Sequence, residues 1–381
     1  MIEAAQFVDL ARDRGFAWYA GVPCSFLTPF INYVIDAPAL SYLSAANEGD
    51  AVAAAAGASI GGMPGIAMMQ NSGLGNAVSP LTSLTHIFRI PILIICTHRG
   101  APGVADEPQH ELMGTITEQL FETMRIPWET FPNEREKLAA TLERATRHFA
   151  RESRPYALIM QKGTVADYAL QNRAVPMPAR PPAVLGTIGT TRISRAEVLR
   201  RVVELTPLEN SVVLASTGFC GRELYAVQDR PNHLYMVGSM GCVSSLALGL
   251  AMTRPNLKVI AVDGDGAALM RMGNLAMIGT YAGANFIHLL LDNEAHDSTG
   301  AQATVAGNVD FAEIARACGY ARVWRGDSLE ALDAVLQAPP AAGPSFLHLK
   351  ISTGTLVNLP RPTITPVEVL GRLREHLGVR T

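Results

Sequence analysis

The sequence predicts an α/β fold of two doubly wound parallel-sheet domains. Three observations carry this. Short apolar runs alternate with helix-period patterns along the whole chain, as strands buried on both faces and their crossover helices require. The rhythm occurs twice, on either side of a stretch rich in Pro, Gly and Thr. The polar, glycine-rich segments follow directly after the apolar runs, where ligands of such sheets bind.

The first half opens with an amphipathic helix pattern, "MIEAAQFVDLARDRGF", followed by a short strand in "FAWYAGVP". The segment "SAANEGDAVAAAAGASIGG", residues 44–62, is alanine-rich and predicts a helix with Asn47 as its cap. Glu48 and Asp50 fall in its first turn, where acidic residues suit the helix dipole. Strands are expected in "PGIAMMQ", "IPILIICT" and "YALIMQ", with a helix near 111–125. A first domain over 1–166 and an extended linker over 167–192 follow from these limits. The second domain, 193–381, places strands in "SVVLAS", "HLYMV", "KVIAVD", "FIHLLLD" and "SFLHLK". Its helices are expected at about 193–205, 242–253, 268–283, 309–318 and 365–377.

Composition narrows the function. A chain of 381 residues with 48% hydrophobic and 17% charged residues suits a compact enzyme. A formal charge of −3 gives no bulk attraction to nucleic acid or acidic membranes. Five scattered cysteines without metal-ligand spacing read as reduced thiols of a cytoplasmic protein. The N-terminus carries charges unlike a signal peptide, and no run of 18 residues is uninterruptedly apolar, so no membrane span is expected.

The stretch "KVIAVDGDGAALMRMGNLAMIGTYAGANFIHLLLDNEAH" is the most informative. Asp265 stands between Gly264 and Gly266 after one strand, and Asn293 follows the next strand 28 positions on. Adjacent strand ends would bring both side-chain oxygens to one point. Such oxygens, with a main-chain carbonyl, are the hard ligands magnesium takes alongside phosphate. The glycines admit close approach of a diphosphate, and the following helix N-terminus favours its charge. A dinucleotide fingerprint is the rival. Neither "GDGAAL" nor "GLGNAV" has the third glycine or a convincing ribose-binding acid.

Gly-Asp-Gly followed by a strand-end Asn resembles the signature of the thiamine-diphosphate-dependent enzymes. The resemblance implies that Asp265, Asn293 and the Ala295 carbonyl hold Mg²⁺ on the cofactor's diphosphate. The segment "ANEGDAVAAAAGAS" is similar to the one that carries the family's glutamate, with Glu48 in its place. A glutamate there serves N1′ of the aminopyrimidine from a neighbouring subunit and promotes removal of the C2 proton, which makes a homodimer or higher homo-oligomer the expected unit. The two-domain layout without a middle domain, with "GVPCSFLTPFIN", "THRGAPGVADEPQHELMG" and "DNEAHDSTGAQAT", is similar to the phosphonopyruvate and sulfopyruvate decarboxylases. That implies loss of CO₂ from a small anionic 2-oxo acid. In phosphonate biosynthesis such loss would pull forward the unfavourable formation of phosphonopyruvate from phosphoenolpyruvate.

The resemblance also implies further roles. In "GSMG" the Gly238 carbonyl would accept from the 4′-amino group, and Met240 would wedge between the cofactor's rings. Ser216, Thr217 and Gly218 would bond the diphosphate, with Ala267 in the place where some relatives carry a serine. His296 and Ser298 complete the expected cofactor set. Ser25 and His110 are expected beside the substrate, and Asn71 and Ser72 would line the same cleft. The second anion of the substrate needs local cations, for which Arg99, Lys162, Arg222 and His296 are candidates and Arg99 the foremost.

Overall fold

The computed structural model describes residues 1–172 and 183–379. The chain divides into two compact units, Met1–Val175 and Pro176–Thr381. The expected linker, 167–192, overlaps 173–182, which lies outside the described residues. On its flanks, Asn32 Nδ2 donates to the Tyr168 carbonyl at 2.8 Å in the first unit. In the second, Leu185 lies beside Trp324 as a parallel bridge.

The first unit is built on six strands: β1 Trp18–Gly21, β2 Ser41–Ser44, β3 Gly65–Gln70, β4 Leu93–Thr97, β5 Trp128–Thr130 and β6 Tyr156–Met160. All their pairings are parallel, in the order β2-β1-β3-β4-β6-β5. The chain steps from β1 outward to β2 and then back across β1 to β3. That reversal opens a crevice between the carboxyl ends of β1 and β3, the place where doubly wound sheets take ligands.

The strands expected from apolar runs are wholly buried in β1, β4 and β6. Edge strands β2 and β5 are additional elements. At four and three residues, half exposed, they carry no apolar run. Also additional is the helix Arg135–Glu152, which buries a stripe of Leu138, Leu142 and Ala145 against the sheet.

The second unit repeats the plan with β7 Ser211–Ala215, β8 His233–Tyr235, β9 Lys258–Gly264 and β10 Phe286–Asp292. A two-residue hairpin, β11 Ala295–His296 with β12 Gln302–Ala303, precedes β13 Arg322–Gly326 and β14 Ser345–Lys350. The sheet order is β13-β14-β10-β9-β7-β8, again parallel throughout. Here the reversal falls between β7 and β9, so Ser216 and Asp265 flank the crevice.

The helices Phe219–Val227 and Leu329–Leu336 are additional, and one expected helix is divided. In place of 268–283 there are two, Asp265–Met270 and Asn274–Tyr281. Arg271 takes a non-helical backbone (φ −136°, ψ 47°) between them. Asn274 then anchors the second by donating to the Gly241 carbonyl and Ser244 Oγ, both at 3.2 Å.

Candidate active site

At the mouth of the alanine-rich helix, Glu48–Ile60, the two acidic residues take different tasks. Asn47 Oδ1 accepts from the Asp50 N–H at 3.1 Å, and Asn47 Nδ2 donates to Asp50 Oδ2 at 2.5 Å, so capping belongs to Asn47 and Asp50. Glu48 turns elsewhere. Only 8% exposed, it accepts at Oε2 from Asn76 Nδ2 at 2.8 Å, and no cation pairs with it among the described residues. A Cβ on Gly73 would lie 1.9 Å from Glu48 Oε1, so the glycine makes the room this carboxylate occupies.

Around the β1/β3 crevice a second cluster forms. The Arg99 guanidinium after β4 donates to both Asp106 oxygens, Nε to Oδ2 at 2.7 Å and Nη2 to Oδ1. Its Nη1 donates to Ser25 Oγ at 3.0 Å, and the group lies 4.7 Å from the Phe26 ring centroid. His110 is buried, with Nδ1 3.1 Å from Asp106 Oδ1 and Nε2 3.3 Å from Gln70 Nε2. Gln70 also donates to Ser72 Oγ and accepts from Cys24 Sγ at 3.1 Å. The Arg99 hydrogen bonds, with the backbone N–H groups of Glu107 and Gly100 and with His110, hold the Asp106 carboxyl far below the usual carboxylate range against its burial.

The structure thus joins Ser25, Arg99, His110 and Ser72. Asn71 is fully buried and its amide is engaged on three sides, to the Arg99 N–H, the Arg99 carbonyl and Thr117 Oγ1. It fixes the β3 and β4 ends to each other. Arg99 is ion-paired with Asp106 and keeps Nη1 on Ser25 Oγ. Lys162, in the turn after β6, is exposed and has no ion pair among the described residues.

The second unit holds a polar pocket at the β7/β9 reversal. Ser216, Thr217, Gly218, Met240, Gly264, Asp265, Gly266, Ala267, Asn293, Ala295, His296 and Ser298 line it, twelve residues expected from sequence. Gly238 lies just outside, on the loop that leads to Met240. Two glycines are needed sterically. Gly218 has φ +89°, and a Cβ on Gly266 would come within 2.5 Å of the His296 ring. The register Leu291↔Gly264 sets Asp265 opposite Asp292, one residue before Asn293.

Asp265 is buried, accepts from Thr304 Oγ1, and has no cationic partner among the described residues. Burial pushes its carboxyl upward, with Asp292 adding and Thr304 opposing. A buried carboxylate without a cation, lining one pocket with the Asn293 amide and the Ala295 backbone, is a donor set suited to a divalent cation. Arg222 donates to the Leu359 carbonyl at 2.7 Å and lies 5.5 Å from the Phe219 ring centroid, with no carboxylate paired to it among the described residues.

Four residues were not anticipated here: Arg195, Glu223, Asp297 and Thr304. Asp297 Oδ2 accepts from Asn293 Nδ2 at 2.6 Å, Arg195 Nη2 at 2.9 Å and the Gly354 N–H at 3.1 Å. Arg195 Nη1 in turn donates to Glu223 Oε1 at 3.0 Å. Asn293 Oδ1 is thereby turned away from Asp297, and the Ala295 N–H approaches it at 3.3 Å.

Known proteins resemble the chain along its whole length. It is 44% identical over 378 residues to a phosphonopyruvate decarboxylase of Streptomyces viridochromogenes, covering 98% of this chain and 94% of that one. A second, from Streptomyces hygroscopicus, is 42% identical over 381 residues with the same coverage. The chain belongs to the phosphonopyruvate decarboxylase family.

A sulfopyruvate decarboxylase of Methanosarcina acetivorans is a more distant relative, 30% identical over 98% of this chain and 97% of its own. Two domain families match as well: the N-terminal TPP binding domain of thiamine pyrophosphate enzymes over residues 3–120 and the C-terminal one over 217–349. Membership in the phosphonopyruvate decarboxylase family therefore brings a thiamine-diphosphate-dependent decarboxylase fold, with Glu48 inside the first matched span and the Asp265–Asn293 pocket inside the second. Among solved structures, a benzoylformate decarboxylase from Polynucleobacter necessarius superposes with a TM-score of 0.70 at 14% identity, covering 93% of this chain and all of that one, a likeness of fold. No helix among the described residues is long and apolar enough to cross a membrane.

Proposed function

We propose that the chain decarboxylates 3-phosphonopyruvate to phosphonoacetaldehyde and CO₂, with thiamine diphosphate and Mg²⁺, as a step of phosphonate biosynthesis. The observation that carries the reading is the 44% identity to a phosphonopyruvate decarboxylase over 98% of the chain. The reading as a sulfopyruvate decarboxylase rests on a relative at 30% and is the alternative.

When bound, thiamine diphosphate supplies the nucleophilic carbon and the electron sink that loss of CO₂ from a 2-oxo acid requires. The protein's own residues supply the rest. Asp265, Asn293 and the Ala295 carbonyl would hold the metal, and Ser216, Thr217, Gly218, Gly264, Gly266 and Ala267 would face the diphosphate. Ser298 and His296 close the same pocket. Gly238 and Met240 would hold the ring end. Glu48, buried and with no cation paired to it, would keep a proton at the aminopyrimidine N1′. His110 holds or moves a proton at Nε2 beside the substrate, and Ser25 and Lys162 receive its anionic groups. Arg99, whose Nη1 is aimed at Ser25 while Asp106 holds its other nitrogens, remains the foremost candidate cation for the second anion, with Lys162 the other.

The active unit is at least a homodimer, in which Glu48 of one subunit and Asp265 of another serve one cofactor. The five cysteines are free, four of them buried, which supports a cytoplasmic setting. The test is reconstitution. Protein treated with EDTA and gel-filtered should be inactive toward phosphonopyruvate, and activity should return only when thiamine diphosphate and Mg²⁺ are both added. Full activity in the stripped protein contradicts the proposal.

A further inference from the structure

We infer that Asp106, which the sequence does not single out, is the positioning residue that sets the protonation geometry of His110 and the pose of Arg99; this rests on the decarboxylase reading for its consequence, though not for its geometry. The loop 101–109 is mostly exposed, yet the Asp106 side chain is only 8% exposed because it folds back against the carboxyl end of the sheet. Five donors converge on it. They are Arg99 Nε at 2.7 Å, Arg99 Nη2, His110 Nδ1 at 3.1 Å, and the N–H groups of Gly100 and Glu107, both at 2.8 Å. Gly100 permits this closeness. Its φ is +69°, and a Cβ there would strike the His110 carbonyl at 2.1 Å.

A carboxylate held ionised by Arg99 accepts and does not donate, so the hydrogen between it and His110 belongs to Nδ1. Nε2 is then the nitrogen with the lone pair, and the Gln70 amide, whose oxygen is turned to Cys24 Sγ, donates to it. The Gln70 orientation and the Asp106 contact thus agree on one tautomer. The same carboxylate aims Arg99 so that Nη1 meets Ser25 Oγ. One side chain therefore fixes three residues expected beside the substrate, and its role is to orient them, as the carboxylate of a hydrolase triad orients its histidine.

The test pairs a spectroscopic readout with kinetics. In protein labelled with ¹⁵N-histidine, His110 should carry its proton on Nδ1 in its neutral form. Asp106→Asn can offer an N–H to Nδ1 and should move that proton to Nε2. In the same variant kcat on saturating phosphonopyruvate should fall by roughly 100-fold. Asp106→Glu should restore the Nδ1–H form and part of kcat. Arg99→Met should keep the tautomer while raising KM. An Nε2–H form in the wild type, or a folded Asp106→Asn with kcat within about twofold of wild type, overturns the inference. If the wild type does not decarboxylate phosphonopyruvate, the proposed function fails, while the NMR arm still decides the role of Asp106.

Discussion

Glu48 Oε2 accepts a hydrogen bond from Asn76 Nδ2 at 2.8 Å while its other oxygen sits over Gly73, where a Cβ would fall 1.9 Å away. The carboxylate is thus oriented from one side and given clearance on the other, with helix capping left to Asn47 and Asp50.

Glu48→Gln should preserve the fold and slow exchange of the C2 hydrogen of bound thiamine diphosphate by roughly 100-fold or more. Gly73→Ala should do the same by displacing the carboxylate, even though it leaves Glu48 in the sequence. Hydrogen–deuterium exchange followed by quenched NMR measures both. Unchanged exchange in Glu48→Gln would return Glu48 to the helix-dipole role.

The Asn293–Asp297–Arg195 chain predicts an effect on cofactor loading distinct from catalysis. Asp297→Ala removes the acceptor shared by Asn293, Arg195 and Gly354, and leaves Arg195 with Glu223 and the Gly354 carbonyl. Breaking this buried ion pair should cost roughly 3 kcal/mol of stability. It should also weaken Mg²⁺-dependent binding of thiamine diphosphate, read by tryptophan fluorescence titration. Wild-type affinity in Asp297→Ala would mean that Asn293 needs no such support.

How much of this was legible in sequence depended on whether the signal was local. β4, β6 and β7 are unbroken apolar runs because both faces of a central parallel strand are covered. β13 reads Arg-Val-Trp-Arg-Gly and lies at an edge, where the partly exposed positions of Arg322 and Arg325 admit charge and erase the run. The Gly-Asp-Gly loop and Asn293 were readable because close approach of a charged ligand restricts both residue types. Thr304 and Arg195 were not, since they reach Asp265 and Asp297 from 39 and 102 positions away. Asp297 stands four residues after Asn293 and was within reach of the sequence. Asn71's tie between two strand ends was not readable, because a polar residue in a glycine-rich loop looks the same whether it faces a ligand or joins strands.

Stability should fall on mild acidification through His233. The ring is fully buried beside Tyr235, and Nε2 has no hydrogen-bond partner. Burial, with Arg230 contributing, brings its pKa down to about 3 from an ordinary 6.5. The unfolded chain therefore binds this proton first as pH falls, and stability is lost between about pH 6.5 and 3. The loss amounts to a few kcal/mol at the lower limit. Urea unfolding at pH 7 and pH 5 should show the decline, and His233→Phe should flatten it. An equal decline in the variant would assign it to other groups.

Substrate preference distinguishes a phosphonopyruvate decarboxylase from its sulfopyruvate relatives. With thiamine diphosphate and Mg²⁺ present, kcat/KM should be measured by CO₂ release for 3-phosphonopyruvate, 3-sulfopyruvate and pyruvate. Phosphonopyruvate should be fastest, because its phosphonate carries more charge and more acceptors than a sulfonate. Pyruvate should be slowest by roughly 100-fold, because it leaves the anion site unfilled. A wild-type preference for sulfopyruvate, or equal rates on all three, would rule out phosphonopyruvate as the substrate.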